Sequence, residues 1–433
     1  MGRTKLQSLI ACAILWLMPI GAAQQVGPVT AWTNGRWFNG SSFVSHDVYS
    51  VGPRLTLKRP HRIDHTVDLG GGYVTPAFGE AHNHNIPSAD TQATLRTYLA
   101  QGIFYVMIQG NVPQARQQLG DRINHDGSVD VIFANGVFTS PGGHPSGLVE
   151  WNIRNGSMTA EDRDGGFLHP VASISDIDRV WRTQIREQRP DFIKIILVYS
   201  EDRVAGIPRP AGSDRHGLDP ALVPHIVQLA HDDNLRVSAH VESAFDFDVA
   251  VKAGVDIIAH MPGFYPDTDR IAKHGLGIYK ISEDAAERAG RQHVTVVTTL
   301  GEALQSILPD PVPIRTSVHS ELAPMRDALL ELYRQNLAIL IRHGVRIAIG
   351  SDQFRDTSVS EALEIYKAGL MEAAPLLQAL STNTASTIFP KRGPFDLSDG
   401  ATADFLVLDD DPLKNFNAIT KIRMRVKSGE VLP

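Results

Sequence analysis

The chain has 433 residues, 42% hydrophobic and 21% charged, which excludes a disordered or fibrous chain and fits a globular enzyme. That length suits one large unit of roughly 250 residues or more beside a smaller companion. A formal net charge of −7 argues against nucleic acid or an anionic membrane as partner, leaving a small-molecule substrate.

At the start, Arg3 and Lys5 precede an apolar run from Leu9 to Ile20 that closes on Gly21-Ala22-Ala23. A basic start, a short apolar stretch and small residues describe a cleavable export signal over residues 1–23, with a periplasmic or secreted product. The run is shorter than the ~20 residues a spanning helix needs, so no stable membrane insertion is expected. Cys12, the only cysteine, lies in this segment, so any metal further on must be held by His, Asp, Glu or a less usual ligand.

Residues 24–75 alternate apolar runs with the turn signals Asn34-Gly35, Asn39-Gly40 and Gly70-Gly71-Gly72, and predict short strands. Residues 403–408 read as a strand, and 422–431 as a hairpin turning at Ser428-Gly429. Segments 24–75 and 391–433 therefore predict a small β-sandwich domain assembled from both chain ends. Between them, residues 76–390 alternate strand-like runs with helical patterns, the mark of a parallel sheet with crossover helices. Eight strands are expected to end near His82, Gln109, Phe138, Val198, Val241, Met261, Leu300 and Asp352. Helices are expected at 91–101, 177–188, 220–232, 244–253 and 325–343. The pattern fits an α/β fold with a (β/α)8 TIM barrel; a doubly wound open sheet has the same periodicity.

Five strand-like segments carry metal-capable side chains. His82 and His84 stand at i and i+2, so both imidazoles leave one face of a strand and can reach one ion. Lys194 sits within Phe192-Ile193-Lys194-Ile195-Ile196, where an ammonium is costly to bury unless it is paired or chemically changed. His240 and His260 each close an apolar run, and Asp352 follows Ile347-Ala348-Ile349-Gly350-Ser351. Singly, each has a bland alternative: a satisfied core histidine, a rim lysine, a helix-capping aspartate. In a barrel all parallel strands finish on one face, so the six groups would converge.

In that order, His-x-His, Lys, His, His, Asp, the chain resembles the amidohydrolase superfamily, in particular its two-metal imidazolonepropionase-like and prolidase-like hydrolases. Thr75-Pro76-Ala77-Phe78 and the 400–409 segment resemble the family's entry to the first strand and its return to the terminal β-domain. One departure is Glu80, where the family usually has Asp. The resemblance implies that His82, His84 and Asp352 bind one divalent ion and that His240 and His260 bind a second. It further implies that Lys194 bridges the two as a carbamate. Zinc suits imidazole and oxygen ligands. Asp352 would also act catalytically as proton shuttle in hydrolysis of an amide, in a dipeptide or N-acyl amino acid, by a metal-bridging hydroxide. His144, in a Gly142-Gly143-His144 turn, and Tyr199 are candidate substrate contacts. A lactonase or phosphotriesterase on the same site, a one-metal deaminase and a catalytically silent binding protein are the alternatives. The deaminase pattern His-x-x-Glu is missed by one residue, since Glu242 follows His240 at i+2.

Overall fold

The computed structural model describes residues 27–88, 90–208, 213–308, 320–352 and 356–433, so the export signal expected over residues 1–23 lies outside the described residues. Strands from both ends of the chain share one sheet of eight. Val29–Phe38 pairs antiparallel with Phe43–Val51, which itself pairs antiparallel with Arg54–Thr56, and parallel with His65–Asp68 and Tyr73–Pro76. The other side of Tyr73–Pro76 pairs antiparallel with Phe405–Leu408. The hairpin of Ile422–Lys427 and Glu430–Val431 completes the sheet, turning through Ser428 and Gly429 at φ 52° and 81°.

One expected turn is absent. Asn34-Gly35 lies inside Val29–Phe38, where the register shifts between Trp32 and Gly35. Asn34 takes φ 55°, and a Cβ on Gly35 would stand 2.7 Å from Leu69 Cδ1, so the pair forms a bulge instead of ending the strand.

Two parallel sheets make the centre. One holds Phe78–Asn83, Ile103–Ile108 and Asp130–Phe133. The other runs, in spatial order, Leu168–Pro170, Val137–Thr139, Ile193–Ile196, Val237–His240, Ile257–Ile258, Thr295–Val297 and Arg346–Ala348. Main-chain hydrogen bonds join the two sheets at both sides. Ala81 N donates to Ile349 O (3.0 Å) and Asp352 N to His82 O (2.7 Å) on one side; Asp191 N donates to Phe133 O (2.9 Å) on the other. The central strands are covered on both faces, which is why Ile103-Phe104-Tyr105-Val106-Met107-Ile108 reads as an unbroken apolar run.

The third expected strand is two pieces, Asp130–Phe133 and Val137–Thr139. Asn135 and Gly136 between them take φ 50° and 106°, which breaks the extended chain. Helices Thr91–Ala100, Val223–Asp232, Ala244–Ala253 and Arg326–Arg342 fall where their patterns put them. Ala244–Ala253 opens on a reciprocal Ser243–Asp246 capping box and closes on Gly254 at φ 87°. No helix among the described residues is long and apolar enough to cross a membrane.

Candidate active site

The parallel strands finish together, and their ends carry the singled-out residues to one place. His82 is buried on Phe78–Asn83; its Nδ1–H donates to Ala259 O at 2.9 Å, which turns Nε2 toward Asp352 Oδ1 at 3.3 Å. His84 repeats the arrangement one register further out, with Nδ1 3.2 Å from Gly110 O and Nε2 3.2 Å from Asp352 Oδ1. Asp352 takes φ 50°, and its N–H is anchored on His82 O, so the carboxylate and the first histidine are held by one backbone contact.

His260 packs against His82 with ring centres 4.4 Å apart and against His240 at 4.5 Å. Its Nδ1 lies 2.9 Å from Thr299 Oγ1 and 3.7 Å from Asp352 Oδ2. Phe264 lies flat on His260, ring centres 3.9 Å apart and 18° from parallel. His240 Nε2 meets Glu242 Oε1 at 3.2 Å. Each of the four histidines thus has one ring nitrogen on a protein partner, the arrangement that fixes tautomer and ring orientation in metal ligands. His82, His260 and Asp352 each offer a ligand atom within 4.8 Å of the others.

Charge in this place follows from burial. Burial holds His82 and His260 well below the usual histidine value and His240 down to about 3, with Lys194 adding to this at all three and Asp352 opposing it at His82 and His240. Burial pushes the Asp352 carboxyl up, but His82 and His84 beside it outweigh this and hold it well below the carboxylate range. Lys194 is 3% exposed, and its Nζ has no hydrogen-bond partner among the described residues. Burial draws its ammonium down to about 7, partly opposed by Asp352. A buried, unpartnered amine among neutral imidazoles is a poor place for a cation and a good one for an anion made from that amine.

The two candidate substrate contacts take different positions. The His144 ring stands 5.1 Å from that of His240, and burial followed by His240 draws it down to about 4. Tyr199 is buried; its hydroxyl lies 3.0 Å from that of Tyr279, and the Arg270 guanidinium covers its ring at 3.6 Å.

Three acidic side chains escaped the reading of the sequence. Buried Glu80 accepts from Ser351 N, Ser351 Oγ, Ser358 N and His82 N, tying the first strand to the segment that carries Asp352. Glu361 accepts from Thr298 Oγ1, Leu300 N and Gly301 N, beside the Thr299 that supports His260. Asp246 collects the N–H groups of Tyr199, Ser200, Glu242 and Ser243. Asp246 was visible as a capping partner of Ser243, whereas Glu80 and Glu361 carry no local signal of what they bind.

No family model matches the chain, and no curated protein does. Solved structures do match across nearly the whole length. A prolidase complexed with N-methylphosphonate-L-proline superposes with TM-score 0.67 at 18% identity, covering 93% of this chain and 99% of that one. A Xaa-Pro dipeptidase with methionine bound in its active site gives 0.66 at 19%, covering 93% and 99%. Ochratoxinase of A. niger gives 0.68 at 16%, covering 94% and 96%. The chain shares the fold of these hydrolases. Their similarity extends over both the terminal sheet and the central strands, since little of either chain is left uncovered.

Proposed function

We propose that the chain is an exported, metal-dependent hydrolase of the amidohydrolase type that cleaves an amide bond in a dipeptide or N-acyl amino acid. In this reading the two parallel sheets close into one (β/α)8 barrel with a small domain from both chain ends, and the cluster lies at its mouth. The observation that carries the reading is the ligand set itself: four anchored histidines and Asp352 gathered around a buried lysine whose amine has no partner.

The donor set fits two divalent ions, zinc suiting its imidazoles and oxygens. His82, His84 and Asp352 would hold one, His240 and His260 the other, with Lys194 between them as a carbamate. Such ions supply a hydroxide at neutral pH and polarise a carbonyl. The free-base amine of Lys194 adds to carbon dioxide and releases one proton, giving an anion with an oxygen for each side of the cluster. Asp352 takes the proton of the attacking water and returns it to the leaving nitrogen, and its fixed contacts to His82 and His84 set where that proton is held. His144, its ring beside that of His240, would contact the substrate, and Tyr199 is the second candidate contact.

Elemental analysis of gently purified protein should give close to two divalent ions per chain, and a panel of dipeptides and N-acyl amino acids should be hydrolysed with apolar or proline side chains preferred. Lys194→Ala should lose most activity and much of the second ion, with partial recovery in acetate. A panel hydrolysed only at lactones or phosphotriesters would leave the metal site standing and refute the amide assignment.

A further inference from the structure

We infer that Glu242 recognises a cationic amino group on the substrate, which makes free dipeptides, rather than N-acyl amino acids, the substrate class; this rests on the amide-hydrolase reading above. Val241 alone separates Glu242 from His240, and the bend that follows the strand Val237–His240 brings the two side chains together. The main chain at Glu242 is pinned at both ends: its N–H donates to Asp246 Oδ2 at 3.2 Å, and its carbonyl accepts from Gly263 N at 3.2 Å. One carboxylate oxygen faces His240 Nε2, also at 3.2 Å. The other accepts no hydrogen bond among the described residues, and the side chain stays 14% exposed.

No Lys or Arg pairs with Glu242 among the described residues; Arg215, within electrostatic reach, is bound to Asp267 at 2.7 Å. A carboxylate fixed on one oxygen and open on the other selects a positive hydrogen-bond donor. In a dipeptide the α-ammonium is one carbon from the carbonyl that is attacked, so a group holding it must lie beside the chemistry, as Glu242 does. An N-acyl amino acid has no charge there.

Alanyl-proline and propionyl-proline, which differ in that ammonium alone, test this with the full-length, metal-loaded protein. Wild-type kcat/KM should favour alanyl-proline by about tenfold or more, the scale of a hydrogen bond to a charged group. Glu242→Gln keeps an oxygen for His240 and should collapse that preference about tenfold, chiefly through KM. An equal loss on both compounds would make Glu242 a support for His240 only and overturn the assignment. Calorimetric binding to metal-stripped protein repeats the comparison without turnover. The wild type should bind alanyl-proline more tightly and Glu242→Gln should not, while equal wild-type affinities overturn the proposal. If the loaded wild type turns over neither compound, the binding comparison alone decides for Glu242, and the wider panel decides for the amide-hydrolase reading.

Discussion

Asp352 and Glu361 have opposite energetics. Asp352 is held in its ionised form by two histidines, so Asp352→Asn, nearly the same shape, should fold normally and retain the histidine contacts. Its turnover should drop by roughly 10²-fold or more, the worth of a positioned proton carrier. Metal content measured alongside separates loss of the shuttle from loss of a ligand, and wild-type turnover with both ions in place would refute the role. Glu361 is held the other way, since burial raises its carboxyl from 4.5 to about 8 against three donors. The folded chain therefore keeps a proton that the unfolded chain gives up between those values. The stability this brings is complete below about pH 4.5 and disappears as pH rises through about 8. Glu361→Gln has the shape of the protonated acid and no proton to lose, so it should match the wild type near about pH 5 and exceed it in stability as pH rises through about 8. Thermal unfolding from about pH 5 to about pH 9 should slope down more steeply in the wild type than in the variant. Parallel curves would contradict the assignment.

At the scale of elements, the junction between Ile193–Ile196 and Val237–His240 depends on one side chain. Asp246, in the first turn of Ala244–Ala253, caps its own helix and also takes the Tyr199 and Ser200 N–H groups at 2.8 and 2.9 Å from the end of the neighbouring strand. Asp246→Ala strands four buried donors and should lose roughly 3 kcal/mol in urea unfolding, while Asp246→Asn should keep part of it. A change under about 0.5 kcal/mol would mean that water replaces the carboxylate. Elements of this kind were readable to the extent that their signals were local. The capping box, the Gly254 stop, the i, i+2 histidines and the misplaced Lys194 all stand in short stretches of sequence. The Asn34-Gly35 turn signal misled because Leu69, 34 residues on, fills the space a side chain would need. The break at Asn135-Gly136, by contrast, carries an Asn-Gly turn signal that the expectation of one strand ending near Phe138 passed over. The partners of Glu80 and Glu361 lie 271 and about 60 residues away, a distance no local pattern spans.

For the whole molecule, the terminal sheet is fastened to the centre by a buried cation. Lys427, 2% exposed, donates to His125 O, Ser128 O and Asp130 Oδ1, and Asp130 also receives Arg392. Lys427→Ala leaves those acceptors without their donor and should lower stability by roughly 3 kcal/mol, read as one cooperative transition at lower temperature. Two separate transitions would instead show that the sheet and the central strands melt independently. The alternating apolar runs made the central strands legible, and the flanking turn signals made the terminal ones so; which strand pairs with which was not, because the partners are far apart in sequence. Tyr73–Pro76 shows what that separation entails. It lies between Val29–Phe38 and Phe405–Leu408, and the second partner comes about 330 residues after it. During synthesis, at ~5–20 residues per second, that flank stays bare for tens of seconds after the first partner is available. A bare strand edge recruits other chains, so truncation ahead of Phe405 leaves a product prone to stick to its own kind.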